Sequence, residues 1–315
     1  MIEIQQLTKR YGALTALDGL TVSIDRGTVF GFVGQNGAGK TTMFLILATL
    51  LSPTAGDARI GGFSVVDEPN RVRRHIGFMP DFFGVYDQLK AYEYLDFYGA
   101  SYGIPPRERK RLIPQLLELV NLSEKSDSYV DNLSRGMKQR LCLARALIHD
   151  PEVLILDEPA SGLDPRARVE MKAIIRELKI MGKTILISSH ILPELAEMCD
   201  EVGIIDRGRL LLNGPVPDIL RKMTGQKTIF VRISTEMDRA VAFFEDEPQV
   251  GRIEKEPKTG TIQFLFDGDD EMQRQLLKRA LEAGIPIISF HDEEKKLEEA
   301  FIEILKGSDA NGTVQ

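Results

Sequence analysis

The chain alternates between short, continuous apolar runs and longer segments in which apolar residues recur at helical spacing. Apolar runs that predict strands lie at residues 28–33, 153–156, 184–189 and 202–205. The run at 153–156 has no polar interruption, which is typical of a parallel strand covered on both faces. Helical patterns lie at residues 92–102, 113–120 and 192–198. Short strands and turns fill residues 1–33, so the chain begins with a β-rich region.

The pattern changes near residue 225. Beyond it, the pattern predicts a strand at 228–233, a helix at 238–245 and a hairpin formed by 250–254 and 261–266. A helix at 270–283, a strand at 286–290 and a last helix at 297–305 are predicted to follow. The order β-α-β-β-α-β predicts a small ferredoxin-like α+β domain at residues 225–307, after a larger domain at residues 1–220. The small domain has no catalytic constellation, so we expect it to stabilise or dimerise the protein. Residues 308–315 are polar and predict a frayed tail.

A phosphate-binding loop is predicted at residues 34–42, GQNGAGKTT, which match G-x-x-x-x-G-K-[ST] between a predicted strand and a helix predicted at 43–51. Glycines let backbone amides approach a phosphate without a Cβ clash, and the helix N-terminus adds partial positive charge. An ordinary glycine-rich turn would not need this strand and helix. Lys40 is expected to reach the β- and γ-phosphates, and the Thr41 hydroxyl to bind Mg²⁺. The residues expected to contact the nucleotide are Gly34, Gln35, Asn36, Gly37, Ala38, Gly39, Lys40, Thr41 and Thr42.

Two carboxylates, Asp157 and Glu158, follow the apolar run at 153–156. The carboxyl end of a buried strand lies on the rim where α/β sheets bind ligands. We therefore expect Asp157 to hold the Mg²⁺ shell, mostly through water, and Glu158 to orient or deprotonate an attacking water. A solvated acidic turn would have the same composition, but the phosphate-binding loop in the same chain favours the catalytic interpretation.

Further motifs follow in a fixed order. LSRGMKQR at residues 133–140 begins a helix with Ser134 as its N-cap, SGLD occupies residues 161–164, and His190 follows a predicted strand. Together with the phosphate-binding loop and the acidic pair, these segments resemble the ordered motifs of the ATP-binding cassette (ABC) ATPases. The resemblance covers about residues 1–220.

The resemblance implies an α/β fold: a P-loop NTPase cassette with a mixed sheet core, a β-rich N-terminal region and a helical subdomain inserted at about residues 83–150. It also implies an ATPase whose two nucleotide domains dimerise head to tail around two ATP molecules. The small C-terminal domain resembles that of the ATPase subunits of many bacterial and archaeal ABC exporters. The implied function is an ATP-binding and hydrolysing subunit that powers a membrane transporter, and the type of C-terminal domain favours export.

The same resemblance implies the roles of individual residues. Each ATP would lie on one chain's phosphate-binding loop and under the signature helix of the other chain, where Ser134 and Gly136 would contact its γ-phosphate. His190 would hydrogen-bond the γ-phosphate, and Tyr11 would stack on adenine. Because the chain has a single phosphate-binding loop and no internal repeat, we expect a homodimer or a heterodimer.

The implied membrane partner is a multi-spanning permease, which would hold this chain peripherally on the cytoplasmic face of the cell membrane. In transporter subunits of the family, the segment that follows the Q-loop receives a short permease helix. Here the aromatic positions of that region are residues 82–86, FFGVY, then Tyr92, Tyr94, Phe97 and Tyr98. Exposed aromatics suit an apolar helix, although the same side chains are equally typical of the core of a helical subdomain.

Two motifs depart from the family pattern. Asp81 stands where the Q-loop has glutamine; it could ligate Mg²⁺ or its water, and it should repel an unshielded γ-phosphate. Slower hydrolysis or stricter Mg²⁺ dependence is therefore our hypothesis. In the signature, Arg135 replaces a glycine and Met137 a glutamine. Arg135 either adds charge near the partner's phosphate or points to solvent, and we expect solvent. The other catalytic positions are present, so we expect an active ATPase.

Composition limits the alternatives. The 315 residues carry a formal net charge of −7 and no basic footprint, so no nucleic-acid partner is expected. The chain lacks an apolar stretch of about 18 residues and a signal-peptide pattern, so we expect neither a membrane span nor export of the chain itself. Cys142 and Cys199 have no metal-like spacing and are expected to be buried thiols, which fits a reducing cytosol.

Two other functions remain open on the sequence alone. A soluble ABC ATPase acting on ribosomes or nucleic acid would usually carry two cassettes, coiled-coil insertions or CxxC pairs, and the sequence has none of these. A nucleotide-binding regulator without turnover would rest only on Asp81 and the altered signature. Substrate choice belongs mainly to the membrane partner, so drug, lipid, polysaccharide, peptide and ion all remain open.

Overall fold

A computed structural model describes residues 1–81, 84, 86, 88–224, 227–256 and 259–293, and the chain separates into two units, Met1–Val216 and Pro217–Gln315. The strands of the first unit are β1 (Ile2–Tyr11), β2 (Leu14–Ile24), β3 (Val29–Val33), β4 (Ala55–Ile60), β5 (Phe63–Ser64), β6 (Ile76–Met79), β7 (Val153–Leu156), β8 (Thr184–Ser189), β9 (Glu201–Asp206) and β10 (Arg209–Pro215). Its helices are α1 (Lys40–Leu47), α2 (Pro69–His75), α3 (Ala91–Ser101), α4 (Pro106–Leu119), α5 (Arg135–Leu147), α6 (Pro165–Ile180) and α7 (Leu192–Ala196).

The central sheet has the strand order β10-β9-β3-β8-β7-β6. Strand β3 pairs in parallel with β8 and β9, and β7 pairs in parallel with β6 and β8, whereas β10 is antiparallel to β9, so the sheet is mixed. Every residue of β3, β7 and β8 is buried, as expected for strands covered on both faces. The carboxyl ends of β3, β6, β7 and β8 meet at one edge, where the predicted site residues follow them.

A second, antiparallel sheet has the order β2-β1-β4-β5. Side chains from both sheets and from α1 form one buried cluster that includes Ile4, Leu20, Phe30, Phe32 and Phe44. The Phe32 ring lies 4.7 Å from Phe30 and 6.0 Å from Phe44, measured between centroids. This cluster ties α1, and the loop that precedes it, to both sheets.

Two helices differ in extent from the sequence prediction. Helix α1 covers Lys40–Leu47 rather than 43–51, because its N-cap Gly39 has a φ of 104° and Thr49, beyond its end, has a φ of 60°. Helix α4 begins at Pro106 rather than at 113. Proline is favoured in a first helical turn, where its missing N–H costs nothing. The first turns of α4 are largely exposed, so they carry no apolar periodicity that could have revealed them.

The predicted helical region contains α3, α4 and α5, with short 3₁₀ turns at Ser123–Lys125 and Val130–Asn132. Polar contacts join these helices. The Arg109 guanidinium of α4 donates to Asp96 Oδ1 of α3 at 2.7 Å, and Arg140 of α5 donates to the Val120 carbonyl at 2.8 Å. The first residue of α5 follows Ser134, so this packing also positions the signature segment.

The second unit contains β11 (Lys227–Ile233), α9 (Met237–Glu245), β12 (Val250–Glu256), β13 (Thr261–Phe266), α10 (Asp270–Glu282) and β14 (Ile287–Glu293), after α8 (Val216–Thr224) at the boundary. Its antiparallel sheet has the order β12-β13-β11-β14. Ile229, Phe264, Phe244 and Leu276 belong to a core that joins the sheet to α9 and α10. The element order β-α-β-β-α-β is that of a ferredoxin-like unit. The helix expected at 297–305 and the tail at 308–315 lie outside the described residues.

Within the described ranges, no helix combines the length and the apolar character that crossing a bilayer requires. Cys142 is buried, whereas Cys199 is only partly buried, so the expectation of two buried thiols holds fully for Cys142 alone. Burial raises the pKa of the Cys142 thiol to about 11, and burial also raises the pKa of Cys199. Both thiols are therefore protonated and unreactive near neutral pH.

Gly77 of β6 allows α5 to pack closely against the central sheet, and its replacement tests that contact. A Cβ atom at Gly77 would lie 2.2 Å from the Ala146 carbonyl oxygen. We expect Gly77→Ala to lower the free energy of unfolding by about 1–3 kcal/mol, as overpacking does. The control is Gly251→Ala, where the nearest atom would lie 3.4 Å away. Calorimetric unfolding of both variants measures the effect, and a wild-type unfolding temperature for Gly77→Ala would contradict this packing.

Candidate active site

The phosphate-binding loop is held between β2 and the turn that follows β9. The Gly34 amide donates to the Ser189 carbonyl at 3.3 Å, and a Cβ at Gly34 would lie 2.3 Å from the Ile205 carbonyl oxygen. A Cβ at Gly39 would lie 2.5 Å from the Ala16 carbonyl oxygen. Only glycine fits at these two positions, so the spacing of glycines in the sequence corresponds to two close backbone approaches.

Lys40 is buried at the first position of α1, with 6% of its surface exposed. Its Nζ donates to the carbonyls of Gly34 at 2.6 Å and Gln35 at 3.3 Å, and it lies 3.6 Å from Glu158 Oε1. Burial lowers the pKa of Lys40, while the carboxylates of Glu158 and Asp157 act in the opposite direction. The ammonium group is thus held against the loop with anionic neighbours, which suits a lysine that binds phosphate oxygens.

Asp157 lies at the end of β7 with only 1% of its surface exposed. Its carboxylate accepts a hydrogen bond from Ser188 Oγ at 2.6 Å and is also hydrogen-bonded to Thr41. Burial raises the pKa of Asp157, the bonds from Ser188 and Thr41 lower it, and the charge of Asp81 raises it again. The acid of β7, the hydroxyl of α1 and the acid that follows β6 therefore share one environment.

This environment fits Mg²⁺ by the chemistry of its donors. Thr41, Asp157 and Asp81 offer oxygen atoms, which are the ligands that Mg²⁺ prefers. A divalent cation would also relieve the repulsion between the two carboxylates, which contributes to the raised pKa of Asp157. Among the described residues, no three His, Cys, Asp or Glu side chains are grouped so that they could hold a metal by themselves. Mg²⁺ would therefore need phosphate or water oxygens in addition.

Glu158 connects the acidic pair to His190. Its side chain is 12% exposed, and its Oε2 lies 3.0 Å from His190 Nδ1. Its backbone has a φ of 50°, which is rare for a residue with a Cβ, and its amide donates to Ser188 Oγ at 2.8 Å. Ser188 thus bonds both members of the acidic pair. The arrangement aims the Glu158 carboxylate toward the loop and away from the sheet, where it can orient a water molecule.

These side chains surround a cavity of about 380 Å³. The predicted residues that line it are Tyr11, Asn36, Gly37, Ala38, Gly39, Lys40, Thr41, Thr42, Asp81, Glu158 and His190. The predicted residues Gly34, Gln35 and Asp157 are not part of this lining. Tyr11 is 47% exposed at the end of β1, and the Lys9 ammonium lies over its ring, 5.2 Å from the centroid, so a stacked base would use the other face.

Three lining residues were not among the predicted site residues: Leu14, Ala16 and Ser161. Leu14 and Ala16 lie in β2, whose amino end runs beside the phosphate-binding loop. Leu14 belongs to none of the sequence motifs, and its 65% exposure is known only from the structure. Ser161 could have been inferred, because it begins the SGLD segment three residues after Glu158.

Ser134 and Gly136 do not line this cavity. Ser134 is the exposed N-cap of α5, and its Oγ accepts a hydrogen bond from the Met137 amide at 3.3 Å. Gly136 is buried, and a Cβ there would lie 2.8 Å from Ala167 Cβ of α6. The signature segment therefore presents its helix start away from the phosphate-binding loop of its own chain, and its role at a nucleotide remains a prediction.

Comparisons with known proteins agree with this geometry. A family model described as "ABC transporter" matches residues 17–161. The bacitracin transport ATP-binding protein BcrA of Bacillus licheniformis is 36% identical over 308 residues, which cover 98% of both chains. The Nod factor export ATP-binding protein I of Ralstonia nicotianae is 38% identical over 71% of this chain and 70% of its own. A solved ATP-binding subunit of an ABC transporter is 32% identical, with a TM-score of 0.64 over 71% of this chain and 93% of that one. The predicted P-loop NTPase cassette fold is confirmed over the region that these matches cover.

Asp81 provides a test of charge in the cavity. Asp81→Asn removes one negative charge and keeps the side-chain shape. We expect ATP binding without Mg²⁺ to tighten about fivefold, since about 1 kcal/mol of repulsion is removed, and the gain in affinity from Mg²⁺ to shrink accordingly. Calorimetric titration of ATP with MgCl₂ or with EDTA measures both affinities.

Asp67→Asn is the matched control, because Asp67 is exposed and does not line the cavity. It should leave both affinities unchanged. If Asp81→Asn gave the same ratio of affinities as this control, the hypothesis that Asp81 sets the Mg²⁺ requirement would be wrong.

Proposed function

Because the chain belongs to the ATP-binding proteins of ABC transporters, we propose that it is the energising subunit of an exporter. Proteins of this family bind ATP and hydrolyse it to drive transport. The observation that carries the proposal is the cavity in which Glu158 and His190 lie beside Lys40 and the rest of the phosphate-binding loop at one edge of the sheet. Export is inferred from relatives that are named for bacitracin transport and Nod factor export.

In the proposed reaction, ATP binds with its phosphates on residues 34–42 and its adenine on Tyr11. Lys40 offers a cation to the phosphates. Because Lys40 is buried and has lost much of its hydration shell, the attraction between its ammonium group and a polyanion is strong. The loop amides and the start of α1 add further positive charge. Binding therefore relies on groups that the fold already holds in place.

Hydrolysis requires an oriented water and neutralised phosphate charge rather than covalent chemistry. We assign the water to Glu158, whose carboxylate is held by His190 at 3.0 Å and lies 3.6 Å from Lys40. His190 is 44% exposed, so one side of the ring can also contact a γ-phosphate and register its loss. Thr41 and Asp157, with Asp81 nearby, would hold Mg²⁺, which would supply charge neutralisation at the phosphates.

The working unit proposed is a dimer of nucleotide-binding chains with two ATP molecules between them. The support is that Ser134 and Gly136 lie outside the cavity of their own chain, so the signature segment has no nucleotide to act on within one chain. A second copy, or a related chain, would bring its own signature to that cavity. The permease proposed as the further partner would span the membrane. The assembly would therefore work on the cytoplasmic face of the membrane, where ATP is available.

The surface proposed for the permease is a groove of about 300 Å³ in the first unit, which we call the arginine groove; its lining residues are Ala48, Leu50, Arg73, Ile76, Phe78, Tyr98, Tyr102, Arg145 and Ala146. Leu50 and Tyr102 are 62% and 51% exposed. Arg145 lies over the Tyr98 ring at 5.2 Å, and Arg73 donates to Thr49 Oγ1 at 2.7 Å. Among the described residues, no acidic side chain lines this groove. An apolar helix that carries an acidic side chain fits this groove.

The aromatic segment expected to dock the permease divides between surface and core. Tyr94 is buried in the helical region, so it belongs to the core. Tyr86 and Phe97 are 52% and 46% exposed, and their rings lie 5.4 Å apart. Phe82 and Phe83 lie outside the described residues. The proposed docking surface therefore relies on the arginine groove and on exposed aromatics near it, not on the whole segment.

Glu158→Gln tests the assignment of the catalytic base. We expect ATP hydrolysis to fall about 10²- to 10⁴-fold, the usual contribution of a general base, while ATP affinity is kept. Without turnover, MgATP should accumulate the dimer, which light scattering would report as a doubled mass. Glu177→Gln, on the exposed face of α6, is the control and should hydrolyse ATP like the wild type. Undiminished hydrolysis in Glu158→Gln would refute the assignment.

Arg73→Glu tests the proposed permease surface. The protein, tagged and isolated from gently solubilised native membranes, should bring down a multi-spanning protein in stoichiometric amount. Charge reversal in the arginine groove should remove that partner, because an acidic side chain would then face another acid, while ATP hydrolysis by the isolated chain persists. The neighbouring exposed Arg74, which does not line the groove, gives the control Arg74→Glu. Equal recovery of the partner with both variants would exclude this surface.

A further inference from the structure

The signature residue Arg135 is exposed, as expected from the sequence, but its guanidinium also makes a contact that the sequence did not predict. Its guanidinium lies over Gly162, in the SGLD segment at residues 161–164, which we call the D segment. A Cβ atom built at Gly162 would lie 2.6 Å from Arg135 Cζ and 2.7 Å from both of its terminal nitrogens. Arg135 itself is exposed. Within the described ranges, no carboxylate lies within salt-bridge distance of it, so packing rather than an ion pair sets its position.

Gly162 is required at this contact for two independent reasons. It has a φ of 65°, a left-handed conformation that favours glycine. It also has no Cβ, and the space that a Cβ would take is filled by the guanidinium. A planar guanidinium can stack on a bare peptide unit in a way that an ammonium group cannot.

Other contacts join the first turns of α5 to the D segment. Gln139 Nε2 donates to the Ser161 carbonyl at 3.1 Å. Gly136 brings α5 so close to α6 that a Cβ there would lie 2.8 Å from Ala167 Cβ. Asp164, the last residue of the D segment, caps α6 by accepting from the Ala167 amide at 2.8 Å. The start of α5, the D segment and the start of α6 are therefore packed together.

The D segment begins three residues after Glu158, the candidate catalytic base. The Ser161 amide donates to the Glu158 carbonyl at 3.0 Å, and Ser161 lines the nucleotide cavity. Two tight contacts thus lie between Ser134, at the start of α5, and Glu158: one from Arg135 to Gly162 and one from Ser161 to Glu158. Under the proposed function, Ser134 acts on the ATP of the other chain and Glu158 on the ATP of its own.

We propose that Arg135 is a positioning residue that couples the two nucleotide sites by holding the D segment against the first turn of α5. A shift of α5 when Ser134 meets the other chain's ATP would move the D segment, and with it Glu158. Arg135 therefore acts through Gly162 and not on a nucleotide. The inference rests on the proposed function, because it needs two sites in one dimer.

The experiment measures ATP hydrolysis by the purified full-length chain as a function of ATP concentration. We expect Arg135→Ala to lower kcat about three- to tenfold and to lower the Hill coefficient toward one, as losses of coupling between sites do. The KM for ATP and the thermal unfolding temperature should stay at wild-type values, because Arg135 does not line the nucleotide cavity of its own chain and makes no ion pair in the described structure. The control Arg166→Ala, at a side chain that is 91% exposed, should change none of these values.

Arg135→Lys separates packing from charge. Lysine keeps the positive charge but lacks the planar group, so we expect it to behave like Arg135→Ala. Wild-type behaviour of Arg135→Lys, or a raised KM at constant kcat in Arg135→Ala, would show that Arg135 contacts the other chain's phosphate directly. Either result overturns the proposal.

A double-mutant cycle with Gly162→Ala tests the contact itself. The alanine Cβ should displace the guanidinium and also strain the left-handed backbone, so Gly162→Ala should lower kcat in the presence of Arg135 and lower it by a smaller factor once Arg135 is alanine, where only the strain remains. Additive effects of the two substitutions would overturn the proposal. A wild-type protein that does not hydrolyse ATP would instead refute the proposed function, so the two failures are distinguishable.

Discussion

Four parallel strands end at the same edge of the central sheet, and the whole candidate site depends on that alignment. Val33 pairs with Ser189, Leu156 with Ile187, and Met79 with Leu156, so the register brings the ends of β3, β8, β7 and β6 to one level. Residues from four distant parts of the sequence meet there only because the strands are buried and in register. A slip of one residue would move the end of one strand by about 3.3 Å relative to its neighbours and would separate the residues that meet there.

The same edge concentrates charges that are costly to bury, and the hydrogen bonds around them explain how the fold tolerates it. Lys40 is bonded to loop carbonyls, Asp157 to Ser188, and Glu158 to His190. A buried charge without such partners would shift its pKa until it became neutral. Here the directions of the pKa shifts of Lys40 and Asp157 show that burial dominates, while their partners partly offset it. The site is therefore under electrostatic strain that a bound polyanion and its cation would relieve.

Local motifs made much of this site predictable. The phosphate-binding loop, Asp157, Glu158 and His190 each follow an apolar run, and strand ends in a parallel sheet meet at one edge. Properties set by distant contacts were not predictable. Ala16 lies in the cavity because β2 runs beside the loop, and Tyr94 is buried while Phe97 is exposed because packing among α3, α4 and α5 decides which face is covered. The predicted start of helix α4 was too late in the sequence, because the first turns of the helix carry exposed charges instead of an apolar repeat.

The packing of the Arg135 side chain could not be predicted from the sequence. Judged as a lone arginine in a place where glycine is usual, it had two plausible environments, solvent or phosphate. In the structure Arg135 is exposed and also packs on the backbone, because a glycine 27 positions later in the sequence leaves the space that the guanidinium occupies. That glycine lies four residues after Glu158, on the segment that bonds back to it. The start of α5 and the backbone of Glu158 are thus joined through one packed segment. Neither can move without changing contacts that the other depends on.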